Sequence, residues 1–551
     1  MNESPVRARP AALTSWHHDW SGLRVAVLGL GVTGFSVADT LVELGCRVRA
    51  IFGRSDPERE RLLDVIGAER SRLEHDAEQL ADLRAFAPDL VVVSPGYRPD
   101  HPLTVWAEEA GVPVWGDIEL GWRLRDKTDR IADWICVTGT NGKTTTVQLT
   151  AHMLVAAGLR AAPVGNIGVP ILDALRDPQG YDALVVELSS FQLHRLPVAG
   201  AGSVSPYASA CLNVAADHLD WHGAAAGVDG GTGAAAEAYA AAKAKVYENT
   251  QVACVYNRAD PETERMVERA DVVEGARAIG FGLDSPPPSG FGVVRDGEGG
   301  GILVDRGYHA DRWDSAYELV TLGELEERGL AAPHMVQNIL AAAALARARG
   351  VEPSEAAAAI LGFTADEHRV QRLGESAALP GVRWVDDSKA TNAHAADGAL
   401  SAFDRVVWIV GGLLKGTDLS ALVERHAHRL RGAVVIGAER QTVLAALERH
   451  APEVPRIEVV PVQTEGTMTE AVAAAASLAQ AGDTVLLAPA AASMDQFASY
   501  AERGRRFQAA VRALGSEPHD DTENDAAEVE AAGTGGGDAD DDDAAPARRG
   551  G

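Results

Sequence analysis

From Leu23 onward, short apolar runs rich in β-branched residues alternate with Ala/Leu-rich stretches of helical length. The runs include RVAVLGL, RVRAIF, DLVVVSPG, DWICVTG, DALVVELSS, RVVWIVGG, GAVVIGA and DTVLLAPA. Uninterrupted apolar strands separated by helical segments predict α/β units, in which helices cover both faces of parallel sheets. Three changes of composition divide the chain. A charged stretch, RLRDKTDR, closes a first unit (22–129). A break near Gly362–Asp366 closes a second (130–365), and a third (366–515) runs to the end of the periodic pattern. Residues 516–551 are Ala, Gly and Asp in low-complexity runs, which predicts a disordered acidic tail. The Gly/Ala-rich stretch 223–238 predicts a flexible loop inserted in the second unit.

The formal charge of −29 changes the picture in one respect: it argues against broad binding to nucleic acid or anionic lipid. Ten of those charges belong to the tail, with its 12 acids and 2 arginines. Cys46, Cys136, Cys211 and Cys254 are far apart, each in or beside an apolar stretch, and predict buried thiols in a reducing compartment. The first twenty residues lack the apolar core of a signal peptide, and the longest uncharged windows, such as 197–216, are too polar for a membrane span. A cytoplasmic protein is expected.

Two glycine loops carry the first chemistry. Gly29-Leu-Gly31-Val-Thr-Gly34 follows the strand RVAVL and opens a helix, a turn that lets a diphosphate approach backbone N–H groups. A dinucleotide site would also need an acid at the end of the second strand, but RVRAIF ends in Phe52-Gly53-Arg54, and the first acid is Asp56. Thr138-Gly139-Thr140-Asn141-Gly142-Lys143-Thr144-Thr145-Thr146 lies between the strand WICV and a helical stretch. Its amides and Lys143 suit phosphates, and the Thr144 hydroxyl suits Mg²⁺, so a nucleoside triphosphate site is predicted.

Two further sets are less specific. Glu187 and His218, the latter beside Asp217, follow apolar strands of the same unit and could hold Mg²⁺ next to the nucleotide loop. In the third unit DDSKATN (386–392), GGLLK (411–415) and APAAASMDQF (488–497) each follow a strand, the usual place for ligands in open parallel sheets. On its residues alone, Lys243 in EAYAAAKAKVYEN reads as a solvated surface cation.

Taken together, GLGVTG, SPGYRPDHP, GDIEL, TGTNGKTTT, GNIG, ELSSFQL, LNVAADHLDWH, YAAAK, HMVQN, HR, DDSKATN, GGLLK and SMDQF resemble the Mur ligases, most closely the D-glutamate-adding branch. The resemblance covers about residues 23–514. It implies three domains: a Rossmann-like domain for the UDP moiety, a central P-loop-type ATPase and a C-terminal Rossmann-like domain. It also implies D-glutamate addition to UDP-N-acetylmuramoyl-L-alanine through an acyl phosphate, with ATP and Mg²⁺, in a monomer with no nucleic-acid or membrane partner. Carried over, Gly139, Thr140, Asn141, Gly142, Lys143, Thr144, Thr145, Asn338, Arg369 and Asp387 would contact ATP. Thr144, Glu187, His218 and Lys243, as a carbamate, would serve the metal. Gly31, Val32, Thr33 and Arg54 would grip UDP, and Asn166 and Ser189 the muramoyl-alanine end. Lys389, Thr391, Ser493 and Phe497 would surround the incoming amino acid, with Lys415 near the transferred phosphate.

The chain departs from that pattern in two places. Phe52-Gly53 stands where many relatives have an acid and polar residues, leaving Arg54 as the obvious uridine or phosphate contact. Ala488 stands where a serine often precedes the proline near the D-glutamate carboxylates. Other readings are another Mur ligase, a folate-type polyglutamate ligase, a P-loop switch and a nicotinamide-binding regulator. The missing ribose acid disfavours the last, and no switch segment or coiled coil supports the switch.

Overall fold

The computed structural model describes residues 10–215, 217, 219–225, 232–297, 300–364, 367–375, 378–414, 416–460 and 466–514. His218, Lys415 and residues 516–551, on which parts of the sequence reading fall, lie outside them.

Three sheets follow one another along the chain. The first contains β1 (Arg24–Leu28), β2 (Arg47–Phe52), β3 (Glu69–Arg72), β4 (Leu90–Val93) and β5 (Val114–Gly116), all parallel in the order β3-β2-β1-β4-β5. The order reverses between β1 and β4, which opens a crevice at their C-terminal ends.

The second contains β6 (Asp133–Thr138), β7 (Ala161–Gly165), β8 (Ala183–Glu187), β9 (Ala208–Cys211), β10 (Ala253–Asn257), β11 (Arg277–Phe281), β12 (Gly290–Arg295), β13 (Gly301–Asp305) and β14 (Tyr317–Thr321). Its order is β14-β13-β12-β11-β10-β9-β6-β8-β7. The third joins β15 (Gln371–Glu375), β16 (Arg383–Asp386), β17 (Val406–Gly411), β18 (Leu430–Ile436), β19 (Arg456–Glu458) and β20 (Thr484–Leu487) in the order β15-β16-β20-β17-β18-β19.

The predicted parallel character holds for most of these strands, but not all. β12–β14 run antiparallel, as do β15 and β16. The expected loop at 223–238 is also corrected, since helices Leu219–Ala225 and Thr232–Ala244 occupy much of it. Alanine outnumbers glycine there, and alanine has the highest helix propensity. ERSR was invisible as a strand because β3 is a polar edge strand with alternating exposure.

One hydrophobic cluster runs from the first sheet into the second, joining Trp20, Trp115, Trp134, Leu184 and Tyr247. Polar contacts close the same seam. Ser36 Oγ donates to Asp173 at 2.6 Å, and Arg176 bonds both Asp39 and Glu43. The third sheet has separate clusters on its two faces, so it meets the other units across a polar cleft rather than a shared core.

Candidate active site

The nucleotide loop is built by β6 and the helix Lys143–Ala156. Gly142 takes φ +84° just before that helix, and a Cβ there would sit 2.3 Å from Asn338 Oδ1. A side chain is excluded both by the backbone and by Asn338 on the helix Pro333–Ala348. Asn213 locks the loop from below: its Oδ1 accepts from Asn141 N at 2.8 Å, and its Nδ2 donates to Asn141 O at 3.1 Å. Thr140 Oγ1 lies 2.9 Å from Tyr239 OH. The first-turn amides of the helix thus face a cleft, a ready anion cradle.

That cleft is a cavity of about 450 Å³ between the second and third units. Thr140, Asn141, Gly142, Lys143, Thr144, Thr145, Asn166, Glu187, Asn338, Arg369, Asp387, Lys389 and Thr391, scattered over 250 residues, all line it, as does Asp217. The two units touch where Asn392 Nδ2 donates to Asn141 Oδ1 at 3.4 Å.

Burial lowers the Lys143 ammonium's pKa, with Glu187 and Asp217 opposing the shift and Arg369 and Lys389 adding to it. Lys143 Nζ folds back onto its own loop, donating to Gly139 O at 2.8 Å and Thr140 O at 2.9 Å. Lys243 is only 2% exposed and donates to Gly139 O at 2.8 Å, over the Tyr239 ring. The reading as a solvated surface cation is therefore corrected. Burial first, then the Lys143 charge, lowers its pKa to about 7. Burial likewise raises Asp387 to about 7, against a hydrogen bond from Val370 N and the Arg369 charge.

The metal-binding reading can be tested on Glu187. Asn166 Nδ2 donates to Glu187 Oε1 at 3.0 Å, whereas Oε2 is buried without a protein partner. An orphaned carboxylate oxygen in a cavity also lined by Thr144 is a hard-oxygen donor that fits Mg²⁺. Among the described residues no three His, Cys, Asp or Glu side chains cluster as a metal site, and His218 lies outside them.

A second cavity, of about 870 Å³, opens in the crevice between β1 and β4. Gly31, Val32, Thr33 and Arg54 line it with Tyr97 and Arg98. Gly34 is obligatory, because a Cβ would lie 2.1 Å from Gly29 O. Asp56 lines the same cavity while capping the helix Pro57–Ile66 and bonding Arg59.

Ser189, Ser493, Phe497 and Ala488 are not among the residues that line the nucleotide cleft. Ser189 caps the helix Ser190–Arg195 in a box with Gln192. Ser493 is 4% exposed and outside the cavity lining, its carbonyl accepting from Phe497 N. Phe497 belongs to the core cluster of the third unit with Trp384 and Phe507. Ala488 is core as well and outside the cavity lining, its carbonyl accepting from Trp408 Nε1 at 2.7 Å. The aromatic beside Lys389 is instead Tyr500, with Nζ 3.8 Å from the ring centroid. Tyr500, three residues beyond Phe497 in the same run, carried no signal that separated it from a core aromatic.

Comparisons with known proteins agree with this layout. The family models described as Mur ligase MurD-like N-terminal domain, Mur ligase middle domain, and Mur ligase glutamate ligase domain match residues 23–116, 137–346 and 368–491. The chain is 63% identical to the UDP-N-acetylmuramoylalanine--D-glutamate ligase of Leifsonia xyli, over 91% of this chain and 95% of that one. It is 48% identical to the ligase of the same name from Streptomyces avermitilis, over 90% of this chain and all of that one. Its fold is similar to the crystal structure of a UDP-N-acetylmuramate-alanine ligase from Thermotoga maritima, with a TM-score of 0.51 at 19% identity, covering 88% of this chain and 98% of that one. Three matched domains in order and near-complete coverage by close relatives lead to one conclusion: the chain belongs to the Mur ligase family.

Proposed function

We propose that the chain joins D-glutamate to UDP-N-acetylmuramoyl-L-alanine at the expense of ATP, acting as a cytoplasmic monomer in peptidoglycan precursor synthesis. The observation that carries the reading is the convergence of Lys143, Arg369 and Lys389, from two units, on one cleft that also holds Glu187. The relatives named above supply the identity of the substrates.

A carboxylate is a poor electrophile, so the γ-phosphoryl group is transferred to the L-alanine carboxylate first. The D-glutamate amine then attacks the acyl phosphate, the C–N bond forms, the amine loses a proton, and phosphate leaves with the C–O bonding pair. Negative charge gathers on phosphate oxygens during transfer and on the former carboxyl oxygen as the amine adds, so positioned cations and amides are the catalytic groups rather than a protein nucleophile. Lys143 leaves Gly139 O to meet the β- and γ-phosphates, and Asn338, Arg369 and Asp387 hold the nucleotide. Lys389 and Thr391 orient the incoming amino acid. UDP lies in the second cavity, gripped by Gly31–Thr33 and Arg54.

Thr144, Glu187 and, as a carbamate, Lys243 would hold Mg²⁺, with His218 assigned to the same set by the resemblance. The ion supplies charge neutralisation on the phosphates when bound. The carbamate forms when the neutral Lys243 amine adds to CO₂ and loses a proton, and burial beside Lys143 keeps a share of that amine neutral at neutral pH. Hydroxylamine trapping with ATP, Mg²⁺ and UDP-N-acetylmuramoyl-L-alanine, without amino acid, tests the intermediate. A hydroxamate of the nucleotide substrate is expected, and ADP formation without one would contradict the acyl phosphate.

A further inference from the structure

Around the cleft, the residues of the third unit alternate between two environments. Arg369, Asp387 and Lys389 line the cavity. Their chain neighbours His368, Asp386 and Ser388 point the other way and are buried, at 3%, 0% and 0% exposure. Each of these buried neighbours is fastened to the helix Tyr500–Ala513 or to a residue that is.

The fastening has two parts, bridged where Ser388 N donates to Asp386 Oδ1 at 3.0 Å and Lys389 N to His368 O at 3.2 Å. In the first, His368 Nδ1 donates to Asp386 Oδ2 at 2.7 Å, and Gln508 Nε2 donates to the same oxygen at 2.9 Å. Gln508 also donates to Gln371 Oε1, which accepts from His368 N; both distances are 3.0 Å. The helix passes so close that a Cβ at Gly504 would lie 2.1 Å from His368 Nδ1. His368 and Val370 have φ +65° and +48°, a conformation that non-glycine residues, β-branched ones above all, hold only where the surroundings impose it. Arg369 is the residue between them.

In the second part Arg503, itself 1% exposed, donates Nε to Ser388 Oγ at 3.0 Å and Nη2 to Ser388 O at 2.9 Å. Its Nη1 donates to Ala491 O at 3.1 Å. Ser388 Oγ in turn donates to Tyr500 O at 2.7 Å. Lys389 follows directly, its ammonium against the Tyr500 ring.

We propose that the helix Tyr500–Ala513 is a positioning plate with two clamps, Gln508–Asp386–His368 aiming Arg369 at the nucleotide and Arg503–Ser388 aiming Lys389 at the incoming amino acid. Gln508, Asp386, Ser388 and Arg503 are buried and outside the cavity lining, so they act through the residues they hold. The assignment of the second clamp to the amino acid rests on the functional reading above.

The two clamps predict opposite signatures. Gln508→Leu removes the shared donor and should weaken ATP binding about fivefold with the KM for D-glutamate within about twofold of the parent. Ser388→Ala removes the hydroxyl between Arg503 and Tyr500 and should raise the KM for D-glutamate about fivefold with ATP affinity unchanged, and Ser388→Thr should restore it. Should Gln508→Leu not fold, Gln371→Leu cuts the same chain of bonds from its less buried end. Calorimetric titration of ATP reads the first clamp and steady-state kinetics the second, with melting temperatures recorded alongside. Both constants moving together in each variant, or melting temperatures falling with both constants unchanged, would overturn the proposal. A parent that releases no phosphate with D-glutamate would contradict the functional reading instead, and the ATP titrations would still decide the first clamp.

Discussion

Lys143 and Lys243 donate to the same acceptor, the carbonyl oxygen of Gly139, each at 2.8 Å. Two amines 100 residues apart in sequence therefore meet at the nucleotide loop. Neither makes an ion pair within 4.0 Å among the described residues, and burial lowers the pKa of both, further for the more deeply held member. That member is Lys243, whose pKa is lowered to about 7 by burial and then by Lys143.

The first prediction is a pH dependence of stability. Lys243 has a folded pKa of about 7 against an ordinary value of 10.5, so the unfolded chain binds the proton more tightly between those values. The destabilisation is fully present below pH about 7 and disappears as pH rises toward 10.5. In bicarbonate-free buffer, the stability of the parent relative to Lys243→Met should rise across that window. A flat difference would mean that the amine is not held as described. Lys243→Arg, whose permanent cation does not readily form a carbamate, should lose most activity.

Removing the other amine tests the phosphate cradle. Lys143→Ala should lower the rate of acyl phosphate formation by about 10²-fold or more, since an ammonium against developing phosphate charge in a water-poor cleft is worth several kcal/mol. Single-turnover phosphate release measures it. A near-parental rate would show that the loop does not serve the transferred phosphate.

Tyr500 and Phe497 separate function from packing within one run of four residues. Tyr500→Leu removes the ring under the Lys389 ammonium and should raise the KM for D-glutamate several-fold, a cation–π contact being worth about 0.5–2 kcal/mol. Phe497→Ala should instead cost about 3 kcal/mol of stability, read by denaturant melts, with that KM unchanged.

Gly34 tests the UDP cavity. In Gly34→Ala the new methyl would meet Gly29 O at 2.1 Å and open the turn that faces the crevice. Affinity for the UDP-linked substrate should fall about tenfold or more, while ATP affinity, measured in the same titration format, stays at the parental value. Loss of both affinities together would mean that the two cavities are not independent.

Much of this was legible in the chain. The apolar runs located the core strands of all three sheets because parallel strands buried on both faces leave an uninterrupted signal. The edge strand Glu69–Arg72 and the antiparallel strands β13 and β14 left no such signal, since one-sided burial and local pairing dilute it. The two glycine loops were readable because φ above zero and close backbone approach demand glycine at Gly142 and Gly34. What sequence did not separate was facing from packing: whether Lys243 points inward, or whether Phe497 or Tyr500 lies against Lys389, is set by distant contacts. The Ala-rich stretch after 223 misled for a different reason, its glycines suggesting a loop where alanines form a helix.

The most direct test of the central claim is phosphate release from the full chain supplied with ATP, Mg²⁺ and UDP-N-acetylmuramoyl-L-alanine, compared with D-glutamate, L-glutamate and no amino acid. The account predicts release that depends on D-glutamate, with one amide product formed per phosphate and little release with the L enantiomer. Release indifferent to the amino acid, or none with D-glutamate, would contradict it.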